Sequence, residues 1–251
     1  IRPSVHSSIQ AQSPHLPTAP SPHRFIGPAL AGTVLFMGAS LQQWGVVYTT
    51  AGKAGFITGL YVIIVPVLGL FWKQRIRWGT WVGAFLAAVG MYLLSFSGEI
   101  TVNIGDLLVL CSALFWATHV QVVGWLTAKM DSIQLACMQF AVCSILSFAG
   151  ALMTESFVME NILAAGIPIL YAGLLSTGVA YTLQVVGQKD VPSSNAAIIM
   201  SLEAVFAVLG GWLFLEEIIP LKGLIGCGIM FAGMVLAQVF GTREKKDETA
   251  N

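Results

Sequence analysis

Eight apolar segments, each of about 20 residues, limit most strongly what this chain can fold into. A helix rises about 1.5 Å per residue, so each segment is long enough to cross the roughly 30 Å hydrocarbon core of a bilayer. As a helix, such a segment also satisfies its own backbone polar groups, which hydrocarbon cannot do. The sequence therefore predicts an all-α, polytopic transmembrane bundle of about eight helices, at 27–48, 54–72, 78–96, 106–128, 132–153, 164–187, 193–214 and 221–240.

The composition supports a membrane protein and argues against several other classes. Only 10% of the residues are charged, whereas soluble domains have about 25%. The net charge is zero and there is no basic stripe, so lipid rather than nucleic acid is the expected surroundings. The four cysteines lie inside apolar runs without a CxxC pair, and the sequence predicts no metal, disulfide or cofactor: Cys111, Cys137, Cys143 and Cys227.

The loop charges predict an orientation. If the N-terminal tail, the second, fourth and sixth loops and the C-terminal tail share one side, that side collects ten of the twelve lysines and arginines. Lys53 and Lys222 alone lie on the other side. By the positive-inside rule, both termini are cytoplasmic in a multi-pass protein of the plasma (inner) membrane. Residues 1–26, rich in Pro, Ser and His, are predicted to be a disordered tail, and 241–251 a charged cytoplasmic tail.

The first three apolar segments resemble the sixth to eighth at a spacing of 142 or 143 residues. Because five helices separate each pair, the two copies cross the membrane in opposite directions. Such inverted repeats are typical of secondary transporters, which bind substrate near the midplane between the repeats. The matched pairs are Gln42 with Gln184, Ala54 with Ala196, Leu60 with Leu202, Gly83 with Gly226 and Gly90 with Gly233.

Four motifs, in order along the chain, resemble the EamA family of the drug/metabolite transporter (DMT) superfamily. Gly105-Asp106-Leu107, followed by Ala113-Leu114-Phe115-Trp116-Ala117, resembles the start of the second family repeat. Leu202-Glu203-Ala204 resembles the family's Leu-Glu-Pro, with Ala204 in place of the proline. The other two are Phe214-Leu215-Glu216-Glu217, which resembles the turn before the last helix, and Gly226 with Gly233, which match the glycine spacing of that helix.

The resemblance spans about residues 27–240 and implies ten helices in a full family member. It divides the chain into a partial first repeat of three helices, 27–97, and a complete second repeat of five, 103–240. Two helices are thus expected to be missing before the first, in either a partial sequence or a reduced form. Loss of the family proline at Ala204 predicts that the usual kink in the seventh helix is absent.

Glu203 is the foremost candidate site residue, because a carboxylate in mid-membrane costs about 2.5 to 3.5 kcal/mol on insertion scales. At a spacing of 142 its counterpart is Tyr61, and a tyrosine hydroxyl facing the acid would supply a donor and an acceptor. Glu203 is expected to bind substrate or carry a proton. The alternative is a protonated Glu203 bonded to a neighbouring helix.

Other polar and aromatic residues within the apolar segments complete the predicted site. His119 is the only histidine in a predicted helix, and its imidazole suits a proton relay or ligand contact; the alternative is a hydrogen bond to a neighbouring helix. Unbonded amides in hydrocarbon are costly, so amide side chains should face a cavity or each other. The remaining candidates are Gln42, Gln184, Gln139, Asn195, Trp116 and Tyr181.

Together these features predict a carrier that moves small organic metabolites or drugs by alternating access between the two repeats. The rivals are a non-transporting partner subunit and a membrane enzyme acting on lipid-linked substrates. No phosphate-binding loop is present, because Gly52-Lys53 lacks the flanking residues that it requires. The Gly55-x3-Gly59 and Gly79-x3-Gly83 spacings fit either close packing within the chain or a homodimer.

Overall fold

In the computed structural model, residues 23–95, 103–215 and 220–241 are described. Every regular element within these ranges is helical, as the apolar segments predict. The elements are α1 (His23–Val46), α2 (Ala51–Gly59), α3 (Tyr61–Phe71), α4 (Trp78–Ser95), α5 (Ile104–Thr127), α6 (Ser132–Thr154), α7 (Met159–Ala164), α8 (Gly166–Leu170), a π-helical segment (Tyr171–Tyr181), α9 (Thr182–Gly187), α10 (Ser193–Met200), α11 (Glu203–Leu215) and α12 (Leu221–Gly241).

The described helices account for the eight predicted segments. Six of them are long and apolar enough to cross a membrane, and two shorter apolar helices, Trp78–Leu94 and Ser193–Phe206, fill the remaining places. Many large apolar side chains are exposed on the outside of the bundle, as expected of a surface that faces lipid. The described residues begin at His23, inside the predicted tail 1–26, and are already helical there. The rest of that tail and most of the tail 241–251 lie outside the described residues.

Two of the predicted spans are interrupted at matched positions. One breaks between Gly59 and Tyr61, and the other at Ser201 and Leu202. At each break the helix tightens by one residue: Leu60 N–H donates to the Ile57 carbonyl at 3.2 Å, and Leu202 N–H donates to the Ile199 carbonyl at 3.1 Å. The two donors, Leu60 and Leu202, are 142 residues apart, as are the two acceptors, and this is the spacing that the repeat predicts.

The seventh predicted span is interrupted at Ser201 and Leu202, between α10 and α11, although Ala204 stands in place of the family proline. The Ser201 hydroxyl bonds to the Ile198 carbonyl at 2.7 Å, and such side-chain bonds compete with the helical ladder. Gly59 holds the equivalent place in the first repeat, and glycine is a weak helix former. Tyr61 and Glu203 therefore each begin a new half-helix.

Helix α5 lies at the centre of the packing. One buried apolar cluster joins it to α1, α6 and α9, and a second joins it to α3 and α10. A third cluster joins α3, α4, α10 and α12. The helices that carry predicted site residues therefore pack directly on α5: α1, α3, α6, α9 and α10. The π-helical segment and α11 carry the remaining two site residues and are continuous with α9 and α10.

Asp106 fixes the start of α5 to the connection between α1 and α2. Its carboxylate forms an ion pair with Lys53 Nζ at 2.8 Å, accepts from Thr49 Oγ1 at 2.5 Å, and accepts from the Asn103 backbone N–H at 3.0 Å. Asn103 in turn caps the helix by accepting from Asp106 N–H. The charge of Asp106 is therefore compensated at the end of the bundle that holds Lys53.

Helices α4 and α12 cross at glycines. A side-chain carbon added at Gly90 would lie 2.5 Å from the Gly226 carbonyl oxygen, and one added at Gly83 would lie 2.6 Å from the Gly233 carbonyl oxygen. The repeat pairs Gly83 with Gly226 and Gly90 with Gly233, so it converts each of these two contacts into the other. An inverted repeat requires this symmetry. Part of the Gly79-x3-Gly83 spacing is thus used for packing within the chain.

Replacing Gly90 by alanine tests this crossing. Gly90→Ala should lower the free energy of unfolding by about 1 to 3 kcal/mol, because the added methyl group forces two backbones apart. Gly228→Ala on α12 is the matched control, since nothing lies within 4 Å of the added carbon. Unfolding of the two purified variants in detergent would be followed by circular dichroism. Equal stability of both variants would contradict the close crossing.

Candidate functional site

The helix breaks lie halfway through the bundle. Tyr61 is the first of the 11 residues of α3, so it lies about 15 Å along the axis from the end of that helix. Glu203 follows the eight residues of α10 and the two-residue break, at a similar depth. Both helices lead to the same end of the bundle, which we call the basic end because its connections hold Lys73, Arg75, Arg77, Lys129 and Lys189.

The Glu203 carboxylate lies within electrostatic range of the phenol groups of Tyr61 and Tyr181. Its side chain is exposed in the isolated bundle, at the first position of α11. Within the described residues its carboxylate makes no ion pair or hydrogen bond.

Aromatic rings form a group around Trp116. Trp116 stacks on Tyr181 with ring centroids 5.9 Å apart and planes 22° from parallel. On another side Trp116 meets the edge of His119, with centroids 6.2 Å apart and planes at 90°. Tyr61 belongs to the same buried cluster as the residues packed around Trp116. The four rings connect α3, α5 and the π-helical segment, a helix type found frequently at functional sites.

A chain of side-chain hydrogen bonds holds the Trp116 ring in place. Trp116 Nε1 donates to Gln42 Oε1 at 2.9 Å, and Gln42 Nε2 donates to Thr58 Oγ1 at 3.2 Å. These bonds link α5 to α1 and α2. Thr58 was not predicted, because threonine hydroxyls in helices commonly bond to their own backbone and give no signal in the sequence.

His119 is paired with Gln139 in the interior. His119 Nε2 lies 3.1 Å from Gln139 Oε1, and both side chains are fully buried. Two further buried atoms in this pair, His119 Nδ1 and Gln139 Nε2, have no hydrogen-bond partner. When His119 carries its proton on Nε2, its Nδ1 is therefore an acceptor without a partner, and Gln139 Nε2 is a donor without a partner.

Two predicted site residues lie apart from this group. Asn195 accepts from Thr80 Oγ1 at 3.0 Å and donates to the Ala237 carbonyl at 3.3 Å, so it joins α10 to α4 and α12 near the basic end. Gln184 is half-buried on α9, and its side chain makes no hydrogen bond with another described residue. The repeat relation between Gln42 and Gln184 therefore does not extend to their contacts.

The bundle is closed at the basic end by amide side chains that the sequence did not single out. Gln121 Nε2 donates to the Val65 carbonyl at 2.7 Å, and Gln74 Nε2 donates to Gln121 Oε1 at 2.9 Å. Gln188 Nε2 donates to the Val120 carbonyl at 3.2 Å. Here all residues of 193–198 are buried, whereas the buried residues of α6 are confined to its first half, on the basic side.

The described residues contain no group of three His, Cys, Asp or Glu side chains that could hold a metal ion. The four cysteines are free, on three different helices. What the site offers chemically is one carboxylate, two phenols, an indole, an imidazole and amides. This set suits reversible binding of an organic molecule.

A solved crystal structure has the same helical fold, with a TM-score of 0.70 over 86% of each chain at 15% identity. A protein of Archaeoglobus fulgidus named an uncharacterized transporter is 33% identical over 209 residues, which cover 83% of this chain and 67% of that protein. The Bacillus subtilis uncharacterized transporter YdfC is 25% identical, over 74% of this chain and 61% of its own length. The chain thus spans about two thirds of the length of these relatives.

The model of the EamA-like transporter family matches residues 9–96 and again 103–238. These two matches cover most of the chain and meet between α4 and α5. They agree with the family that the motifs around Asp106, Glu203 and Gly226 resemble. The chain belongs to the EamA-like transporter family.

Proposed function

We propose that this protein is a secondary transporter that moves small organic solutes across the plasma (inner) membrane, with Glu203 as its central binding group. The observation that carries the proposal is the unpaired carboxylate at mid-depth, directly after the interruption between α10 and α11. Transporter sites typically form at discontinuous helices near the midplane. A charged group at this depth is costly, so it is retained where a substrate or ion uses it.

Alternating access is supported by the unequal packing of the two ends. The amides of Gln74, Gln121 and Gln188 bond to neighbouring helices near the basic end, while Glu203 remains exposed. This is the arrangement of a carrier closed at one end. To open the basic end, α3 must separate from α5, which requires the bond between Gln121 and the Val65 carbonyl to break.

Glu203 acts as a substrate ligand or as a proton carrier. The alternative, a protonated carboxyl group fixed by a hydrogen bond to a neighbouring helix, has no support in the described residues, where no such bond is made. Tyr61 and Tyr181 supply hydroxyls that interact with either the carboxylate or its ligand.

The rival functions lack the features that they require. An enzyme acting on lipid-linked substrates needs acid–base or metal groups at a membrane face, whereas Glu203 and His119 lie within the spans, away from either face. A non-transporting partner subunit would not need an unpaired carboxylate at mid-depth. Uptake by proteoliposomes containing the purified protein separates these functions from a carrier.

Replacing Glu203 by glutamine tests the central binding group. Uptake of the solute found by screening radiolabelled amino acids, sugars, nucleosides and cationic drugs should fall by about tenfold or more, because the lost charge contact is worth over about 1.4 kcal/mol. Any pH dependence of uptake should also disappear. Glu160→Gln, at an exposed acid on α7, is the matched control. An unchanged rate and pH profile in Glu203→Gln would refute the proposal for this residue.

Replacing Gln121 by leucine tests closure at the basic end. The variant loses the bonds to Val65 and Gln74 and should populate the state open at that end. In a background without native cysteines, a cysteine at the buried Ser194 would then react faster with a water-soluble maleimide. Gln43→Leu, at an exposed position on α1, should leave the rate unchanged. If both variants react at the same rate, Gln121 does not hold this end closed.

The orientation is tested by labelling intact cells with a membrane-impermeant maleimide. In the cysteine-free background, Glu155→Cys should be labelled from outside, and Arg75→Cys only after the membrane is permeabilised. Both side chains are exposed and in connections at opposite ends of the bundle. Labelling of Arg75→Cys in intact cells would reverse the proposed orientation.

A further inference from the structure

We propose that Lys73 is a positioning residue for closure of the basic end. Its left-handed backbone directs Gln74 onto Gln121, and the turn that it forms is released when that end opens. This proposal rests on the proposed function, because it concerns how a carrier opens, and it adds the residue whose backbone sets the ease of opening. Three observations carry it: the backbone conformation of Lys73, the hydrogen bonds of its turn, and the amide contacts that follow.

The chain leaves α3 through a tight turn that contains Lys73. Lys73 N–H donates to the Leu70 carbonyl at 2.9 Å, and Gln74 N–H donates to the Gly69 carbonyl at 3.0 Å. These two bonds define a Schellman turn, whose left-handed position is usually occupied by glycine. Here Lys73 occupies it with a φ of 58°, which is the only positive φ in the described part of the chain. Because a side chain makes this backbone unfavourable, the turn is strained.

The turn places the side chain of Gln74 against α5. Gln74 Nε2 donates to Gln121 Oε1 at 2.9 Å, and Gln121 Nε2 donates to the Val65 carbonyl at 2.7 Å and to Gln74 Oε1 at 3.5 Å. Gln121 thus holds α3 at two points, one within the helix and one in the turn beyond its end. The two amides lie close to Gly69, where an added side-chain carbon would be 2.6 Å from Gln74 Oε1 and 3.1 Å from Gln121 Nε2.

The strained turn and the amide contacts depend on each other. The free-energy cost of a left-handed lysine is similar to the net gain from one neutral hydrogen bond. When α3 separates from α5, Gln74 loses Gln121, and the two backbone bonds of the turn are left to offset the cost at Lys73. Release of the turn therefore accompanies opening, and the strain favours the open state. The Lys73 side chain is itself exposed, so this role belongs to its backbone and not to its charge.

Two substitutions of Lys73 test the strain. In the cysteine-free background with Ser194→Cys, Lys73→Gly should slow the reaction with a water-soluble maleimide by about 5- to 30-fold, because glycine removes the cost of the left-handed backbone from the closed state. Lys73→Ala is the matched control, since it loses the charge, keeps the strain and should react at the parent rate. Equal rates for Lys73→Gly and Lys73→Ala would overturn the proposal.

Thermal unfolding separates this role from a purely structural one. A turn that persists in both states would be stabilised by Lys73→Gly equally in each of them. The unfolding midpoint would then rise while the maleimide rate at Ser194→Cys stayed unchanged, and this result would contradict the proposal. If opening releases the turn, both quantities should change. Unfolding in detergent would be followed by circular dichroism, which also shows whether each variant keeps its helical fold.

A double-mutant cycle tests whether Lys73 acts through Gln121. In Gln121→Leu the Gln74 side chain has no amide on α5 to meet, so Lys73→Gly should slow the maleimide reaction much less than it does when Gln121 is present. The same slowing in both backgrounds would show that Lys73 does not position Gln74 for Gln121.

A pair of glycine substitutions perturbs the amides without touching Lys73. Gly69→Ala should speed the maleimide reaction at Ser194→Cys, because the added methyl group displaces the Gln74 amide from Gln121. Gly55→Ala on α2 is the matched control, since nothing lies within 4 Å of the added carbon there. If Gly69→Ala reacts no faster than Gly55→Ala, the amide contacts do not hold the basic end closed.

Uptake measurements separate this proposal from the proposed function. If proteoliposomes of the parent protein take up a solute, and Lys73→Gly changes neither uptake nor labelling, the carrier function stands and the role of Lys73 is refuted. If labelling responds to Lys73→Gly as expected but the parent protein takes up no solute, the carrier function is refuted and the role of Lys73 in closing the basic end stands.

Discussion

The rest of the structure depends on how the backbone satisfies its hydrogen bonds in hydrocarbon. A helix does this unaided, and a break is tolerated only where protein or a water-filled cavity receives the freed groups. This chain breaks two spans halfway, at Leu60 and Leu202, and in both the tightened turn uses the same bonding pattern. Tyr61 and Glu203 directly follow these breaks, so two of the predicted site residues lie where the helical hydrogen bonding is interrupted.

Helix packing divides the bundle into a rigid part and a part that can move. The glycine crossing of α4 and α12 brings two backbones into contact over a long stretch, which leaves little room for rotation. By contrast, α3 and α10 meet α5 through a small apolar cluster and a few amide bonds, each modest in net free energy. Separating α3 and α10 from α5 to open the basic end therefore costs less free energy than separating α4 from α12.

Hydropathy alone predicted the eight segments, because the thickness of the membrane sets their length independently of tertiary contacts. The repeat offset paired Tyr61 with Glu203, and each of the two begins a helix after an interrupted turn. The helix breaks could not be predicted from a search for proline, since Gly59 and Ser201 cause them through weak helix propensity and a side-chain bond. Asn195 was grouped with the site by polarity, although its depth, two residues into α10, already placed it near the basic end. Gln121 was overlooked because its partner is a backbone carbonyl, which no sequence pattern reveals.

The lack of a partner for Glu203 links occupancy of the site to movement of the helices. In the proposed carrier, water solvates the carboxylate at little cost while the site is open. When the site closes, the same charge loses that water, and an unpaired buried carboxylate costs several kcal/mol. Closure around an empty, ionised site is therefore unfavourable, whereas closure around a bound cation or a proton is not. A single carboxylate at mid-depth is thus sufficient to make the conformational change depend on what occupies the site.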